Sequence, residues 1–556
     1  MSKKLIKKGG SHITLIIDYL EKMSLSPILL IGTFFALIAV RLFVENSVFG
    51  YTRTSGSYYL YEFSHTLTFF ALTFILIATL FSWYFSRPLR SVATVLLCGF
   101  VVIILPPLID VVIAMQYYPG QSFLSYYEFD SLKGLVERFY TFYGDDPTNG
   151  ITYGVRIEVA LVLSLLFVYG LVVAKSFWRA FLFLVPAYIV FFVLGTFPAW
   201  LTLLGSIVSM ELLTVQASDV AQMFLSPTRI FVHDLPGFLN ALNAKMSLVY
   251  TIVICFSMGS LFWLKDRVRS TIFFYAMRPL QMVYHIGLVC VGLGVGILLT
   301  DEVWFLNFFT LTAFVVLCIS VVSAWISAAL VNDIFDQETD QISNKERPLV
   351  QGTFSVSQYH LIAWLSAGLA IFSAAIINPK VAGFIIAYLA LTWFYNAPPL
   401  RLKRIPFIAS FIAAISSLFI ILMGYSIFTP HYSIVSFPFA ISVLFVIVLT
   451  ISLPLKDLKD VDGDKKMGTW TLPVLFGARR ARLIIATGVL LSFLLSVVLL
   501  RAQTLFIWAL LFGGVAFWLI IVCDGRFKII SSRNILGWVF LVTGLYGAVL
   551  VVTLFF

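Results

Sequence analysis

The sequence predicts an all-α integral membrane protein, and three observations carry that prediction. The 556-residue chain is 60% hydrophobic and only 12% charged, and its mean hydropathy is +0.99. Continuous apolar runs of about 18 residues or more recur along its whole length, each long enough to cross a bilayer as a helix. The runs are unbroken and do not alternate with period two, so they read as helices. Lipid cannot satisfy exposed backbone groups, which leaves helices or closed barrels as the only spanning forms.

Six spans are expected in the first half, near 27–44, 66–85, 92–114, 157–175, 178–205 and 247–264. Nine follow, near 279–299, 304–331, 357–376, 381–396, 405–427, 433–455, 481–500, 503–523 and 534–555. Fifteen spans with a cytoplasmic N-terminus put the basic loops on one side, as the excess of Lys and Arg in cytoplasmic loops requires. "SRPLR" (86–90), "KSFWR" (175–179), "KDRVR" (265–269), "RLKR" (401–404), "DKK" (464–466) and "DGRFK" (524–528) all fall inside. The long polar stretches 115–156 and 206–246 fall outside. Residues 12–23, "HITLIIDYLEKM", form a short interfacial helix on this reading. "KDRVRS" at 265–270 marks the expected domain boundary, because polar residues move from outside loops to inside loops there.

The bulk numbers exclude several classes. A net charge of +10 would suit nucleic acid in a soluble chain. In a membrane chain it is the charge of cytoplasmic loops, and no nucleic-acid partner is expected. Cys98, Cys255, Cys290, Cys318 and Cys523 lie in apolar runs, without metal-ligand spacing or disulfide logic. No cleavable signal is expected from the basic start "MSKKLIKKGG", because no compact apolar core with a small-residue cleavage site follows it. Asp110, after "LPP" (105–107), is either an intramembrane functional group or a solvated residue at the outer face. "LPP" itself predicts a kink.

The charge that remains is concentrated. "NDIFDQETDQISNKERP" (332–348) holds five acidic residues at the inside end of a span. Asp333, Asp336 and Asp340 are spaced i, i+3, i+7, which is one face of a helix over about two turns. A second stretch, "DLKDVDGDKKMGTWTLPVLFG" (457–477), repeats the spacing at a constant offset: Asp457, Asp460 and Asp464 answer Asp333, Asp336 and Asp340 in turn. The repeat reads as a duplicated four-helix unit. Like charges on one face repel, and near lipid they cost more. A hard divalent cation, Mg²⁺ or Ca²⁺, would offset them. Mg²⁺ held by a few carboxylates keeps open positions for substrate phosphate oxygens. Lys345, Arg347, Arg401, Lys403, Arg404, Lys465 and Lys466 are the nearby basic groups for the same ligand. "DVDGD" is not a calcium loop, because Lys465 and Thr471 stand where such a loop needs Gly and Glu. A lone acidic cluster would be an ordinary solvated loop; two matched triplets on one side are not.

These motifs resemble the UbiA superfamily of intramembrane prenyltransferases. "NDIFDQETD" resembles its first aspartate motif and "DLKDVDGD" its second, with "NKERPLVQG" (344–352), "YNAPPLRLKR" (395–404) and "GTWTLPVLFG" (468–477) in support. The resemblance covers about 271–556. It implies a nine-helix bundle around a cavity open to lipid, preceded here by about six additional transmembrane helices. It implies transfer of a prenyl chain from a polyprenyl diphosphate to a lipophilic acceptor, with Mg²⁺ as cofactor. Asp333, Asp336, Asp340, Asp457, Asp460 and Asp464 would hold metal, with Asp336, Asp340, Asp460 and Asp464 central to catalysis. Asn332, Lys345, Arg347, Arg401 and Lys403 would contact diphosphate. The short spacing from Asp340 to Arg347 resembles members acting on ether lipids, chlorophyll or quinones.

Breaking an allylic C–O bond puts negative charge on the diphosphate, where metal and basic groups stabilise it. An apolar cavity keeps water from the cation. Tyr395 is either a ring stacked on that cation or an interfacial aromatic. His285 and His360 read as ordinary polar residues at helix ends. The rivals are a cation-coupled transporter, an intramembrane terpene cyclase and a non-catalytic lipid-binding scaffold. Residues 1–270 carry no acidic triplet, nucleotide loop or metal-ligand spacing by which to assign them.

Overall fold

The computed structural model describes the backbone of residues 2–23, 25–49, 56–117, 131–144, 151–209, 217–226, 238–300, 307–405, 407–429, 433–459, 461–466, 468–522 and 535–555. Among these residues there are helices and turns and no strand. Two compact units emerge: residues 1–227 with 235–259, and the remainder to Phe556.

In the first unit the helices are α1 (Ser2–Lys22), α2 (Pro27–Phe49), α3 (Gly56–Phe85), α4 (Leu89–Gly99), α5 (Leu105–Tyr117), α6 (Leu132–Tyr140), α7 (Tyr153–Ala174), α8 (Phe177–Gly195), α9 (Phe197–Ser209), α10 (Ala217–Leu225) and most of α11 (Phe238–Lys265). The helix expected at 12–23 exists and begins earlier. Just before "LPP" the helical chain tightens into a 3₁₀ stretch at Phe100–Ile104 between α4 and α5. Pro106 and Pro107 have no N–H to continue the helical ladder there. The span expected at 178–205 is two helices, parted at Thr196 ahead of Pro198.

Asp110 is not solvated: it is buried, and its Oδ1 accepts from Gly154 N at 2.7 Å. Glycine at 154 allows this approach, since a Cβ there would meet Asp110 Oδ2 at 2.8 Å.

The second unit continues with α12 (Arg267–Ala276), α13 (Pro279–Thr300), α14 (Phe308–Phe335), α15 (Gln337–Ser343), α16 (Val356–Ile377), α17 (Pro379–Asn396), α18 (Ile408–Ser426), α19 (Phe439–Ser452), α20 (Val461–Lys466), α21 (Leu472–Phe476), α22 (Ala478–Leu499), α23 (Phe506–Val522) and α24 (Ile535–Phe555). Among the described residues, fourteen helices are long and apolar enough to cross a membrane, against fifteen expected. The difference is 381–396. It is helical as α17, but only 18 residues long, with Pro379, Lys380 and Asn396 among them. The chain is a multi-pass integral membrane protein.

α14 is the axis of the second unit. It is capped by Asn307, whose Oδ1 accepts from Thr310 N at 2.8 Å. It is buried on almost every side, with Ser320, Ser323, Ala324, Ser327 and Ala328 along its length. Small side chains let helices in lipid approach closely. α14 packs most extensively on α16, where Ser320 Oγ donates to Ala370 O at 2.7 Å. α13 and α18 cross equally closely: a methyl at Gly292 would collide with Ile421 O, and one at Gly424 with Val289 O. Around the aspartate end of α14, Ala276, Met277, Leu330, Val331, Phe354, Tyr359 and Ala363 form a buried apolar cluster. α22, α23 and α24 close a second core with Leu455 and Leu458, just beside the second acidic stretch.

Candidate active site

The first triplet is not one unbroken helix. α14 ends at Phe335, and Asp336 takes φ −105°, ψ 11° before α15 begins. The bend is mild, because Asp336 N still bonds Asn332 O at 3.0 Å and Asp340 N bonds Asp336 O at 2.8 Å. The carboxylates therefore stay on one side of the chain, as Arg347 demonstrates by reaching two of them. Its Nη1 stands 3.7 Å from Asp333 Oδ2 and its Nε 4.0 Å from Asp340 Oδ2.

Each carboxylate has its own basic or amide partner. Arg278 Nη2 donates to Asp333 Oδ1 at 2.7 Å. Arg401 Nη2 donates to Asp336 Oδ1 at 3.0 Å and to Phe335 O at 2.7 Å. Lys403 Nζ donates to Asp336 Oδ2 at 2.6 Å, to Asn332 Oδ1 at 3.2 Å and to Asn396 Oδ1 at 3.4 Å. Asn344 Nδ2 donates to Asp340 Oδ1 at 2.9 Å. Arg401 holds its place in a left-handed conformation, φ 40°, in the turn that leads from α17 to Lys403. Burial pushes Asp340 up to about 6, against the pull of Arg347 and Asn344. Burial lowers Lys403 and Arg278, and their neighbouring aspartates oppose this. Charges so placed are compensated by each other more than by water.

The second triplet departs further from the expected helix face. Asp457 lies on a 3₁₀ turn, Leu453–Lys459, and Asp464 on the short helix α20. Asp460 lies outside the described residues. Thr471 Oγ1 donates to Asp464 Oδ2 at 3.3 Å, and Thr469 N bonds Asp464 O at 2.9 Å. α20 packs against α15, so the fold brings the two acidic stretches side by side although they are far apart in sequence. Among the described residues, no three acidic, His or Cys side chains converge as a ready metal site. In this structure the charges that meet the first triplet are Arg278, Arg347, Arg401 and Lys403.

Of the expected diphosphate contacts, Asn332, Arg347, Arg401 and Lys403 are gathered at the cluster. Lys345 is exposed and makes no hydrogen bond or ion pair with described residues. Arg404 is exposed.

Sequence reasoning missed Arg278, which sits 55 residues before its aspartate and belongs to no acidic motif. It also missed Lys456, whose Nζ donates to Tyr395 OH at 2.8 Å and lies 5.3 Å from that ring's centroid. Tyr395 is thus already engaged by a protein cation. The position of Lys456, directly before Asp457, was the available signal. His285 is not an ordinary terminus: it is buried, contacts Tyr388 OH through Nε2 at 3.0 Å, and lies 4.7 Å from the Trp325 ring centroid. Trp325 in turn lies under Arg278, 6.0 Å from its guanidinium carbon. His360 is exposed, as a polar helix-end residue should be.

The sequence model of the UbiA prenyltransferase family matches residues 295–526, a narrower stretch than 271–556. Digeranylgeranylglyceryl phosphate synthase of Pyrococcus abyssi is 29% identical over 161 residues, which is 28% of this chain and 53% of that protein. The chloroplastic chlorophyll synthase of Arabidopsis thaliana is 29% identical over 165 residues, 27% of this chain and 41% of that protein. The chain thus spans about half the length of the curated relatives it matches. Among solved structures, a UbiA homolog from Archaeoglobus fulgidus bound to DMAPP and Mg²⁺ is similar, with 21% identity and a TM-score of 0.40, over 50% of this chain and 96% of that one. Over residues 295–526, this chain is thus similar in sequence to the UbiA prenyltransferase family.

Proposed function

We propose that the second unit transfers a prenyl group from a polyprenyl diphosphate to a lipophilic acceptor in the membrane, releasing diphosphate. The observation that carries this reading is the pairing of the two acidic stretches through α15 and α20, bracketed by Arg278, Arg347, Arg401 and Lys403. Such a site has charge of both signs, as a metal–diphosphate pair requires. A transporter would place its ion groups at mid-membrane on broken helices, whereas these carboxylates lie at and beyond a helix end. The six aspartates and Asn332 supply hard oxygen donors that suit Mg²⁺. Asp333 Oδ2 fits such a role, being buried without a hydrogen-bond partner. Mg²⁺ held there would offset the leaving group's charge.

On this proposal, Arg347, Arg401 and Lys403 exchange part of their contact with aspartate for contact with phosphate oxygens. The allylic C–O bond breaks with its electron pair going to diphosphate, the acceptor's nucleophilic atom bonds to the freed carbon, and the acceptor loses a proton. The relatives' names favour ether-lipid or chlorophyll-type acceptors, in agreement with the Asp340-to-Arg347 spacing. Residues 1–270 are then an accessory membrane module. The N-terminus and both aspartate stretches lie on the cytoplasmic side, as the Lys- and Arg-rich loops indicate.

The test is incubation of the purified protein with geranylgeranyl diphosphate, Mg²⁺ and a panel of glycerol-ether, chlorophyllide and quinol acceptors. Mg²⁺-dependent diphosphate release with a prenylated product supports the transferase. A cyclised hydrocarbon without acceptor use would replace it by a terpene cyclase, and no release from folded protein would sink both.

A further inference from the structure

The first unit contains a cavity of about 470 Å³, within the roughly 300–1,000 Å³ of small-molecule sites. One wall is α1. Ile13, Ile16, Ile17 and Leu20 line the cavity at i, i+3, i+4 and i+7, the apolar stripe of an amphipathic helix. Ile13 and Ile16 are still 45% and 58% exposed, so this wall is covered only in part by protein. Its far end is pinned, because Tyr169 OH donates to Glu21 Oε1 at 2.8 Å. The α4 segment and the 3₁₀ stretch that follows it line it as well.

Glu158 of α7 is the single charged residue lining this cavity. It is 8% exposed and makes no hydrogen bond or ion pair among the described residues. The two hydroxyls that also line the cavity are already used: Thr73 Oγ1 donates to Phe69 O at 2.8 Å, and Tyr169 bonds Glu21. A buried polar group without a partner is costly, and an acid inside a membrane helix marks a site more often than it marks packing. Arg41, Asp110 and Glu45 are the charged groups within its electrostatic reach; they are of mixed sign, so no strong field selects an ionic head.

We propose that this cavity binds a single-chain lipid with an uncharged hydroxyl head, a long-chain alcohol, whose hydroxyl bonds the Glu158 carboxyl while its chain lies along α1. A hydroxyl both donates and accepts, so it satisfies the acid in either protonation state. The proposal rests on the first unit alone and stands or falls apart from prenyl transfer.

The probe is hexadecanol carrying a chain diazirine, photolysed with the full-length protein in nanodiscs. Cross-linked peptides are mapped by mass spectrometry, with hexadecanol, hexadecylamine and hexadecane as competitors. Labels are expected on α1, α4 or α7, competed about tenfold better by hexadecanol than by hexadecane, the scale of one hydrogen bond. Glu158→Leu should erase that preference and Glu158→Gln keep it, while Leu96→Trp should reduce labelling by filling the cavity. Equal competition by hexadecane, stronger competition by the amine, or labels confined to other helices would each overturn the proposal. The wild-type competition decides the question even where a variant fails to fold.

Discussion

The two acidic stretches share one spacing and are folded differently. In the first, a long buried helix delivers Asp333 and a mild bend delivers Asp336 and Asp340, each met by Arg, Lys or Asn from elsewhere in the unit. In the second, a 3₁₀ turn and a helix of six residues carry Asp457 and Asp464, and a Thr from the following loop holds Asp464. Equal spacing therefore does not mean equal backbone conformation. The first stretch is anchored by tertiary ion pairs, and in the second Thr471 Oγ1 donates to Asp464.

Changing a charge in the anchored stretch should do the most damage. Asp336→Asn removes the carboxylate shared by Arg401 and Lys403, and diphosphate release should fall by roughly 10²-fold or more. Monodispersity and thermal unfolding in the same detergent separate this from misfolding. Retained activity would show that the ion pairs are only scaffolding.

Arg347→Lys tests the bridge between Asp333 and Asp340. A single ammonium cannot reproduce the two-sided reach of a guanidinium, so KM for the prenyl diphosphate should rise roughly tenfold, with a smaller change in kcat. A kcat loss at constant KM would contradict a ground-state diphosphate contact.

A gentler probe of the second stretch is Thr471→Val, which removes one 3.3 Å hydrogen bond to Asp464. The Mg²⁺ concentration for half-maximal rate should rise about threefold, since such a bond is worth on the order of 1 kcal/mol. A much larger shift would mean that Thr471 does more than supply this one hydrogen bond.

Glu338→Gln should change nothing beyond about twofold, because an exposed surface charge contributes little. Glu338 lies within the first stretch but off its triplet, and it is exposed. A marked loss there would mean that acidity in bulk, and not the triplet, is what matters.

Much of the second unit is legible from residues alone. Apolar length announces the helices, and "LPP" announces the break near Phe100 through proline's missing donor. Asp333, Asp336 and Asp340 announce a shared face, because like charges at that spacing must be offset by something. Arg278 and the Lys456–Tyr395 pair are not legible in this way. Their partners come from distant helices, and no local pattern encodes such a meeting. His285 shows the same limit: its position near a helix end looks like solvent, and only packing against Trp325 and Tyr388 buries it.

Hydropathy and charge spacing by themselves determined that this is a membrane-spanning helical chain with two matched acidic stretches, because both are properties of residues a few positions apart. Tertiary structure alone decided which cation meets which carboxylate, that α15 lies against α20, and that Glu158 faces an apolar cavity. Those outcomes depend on how helices pack. Packing is set by small residues such as Gly292, Gly424 and Ser320 at the crossings, whose effect is felt by another helix and not by their own neighbours in the chain.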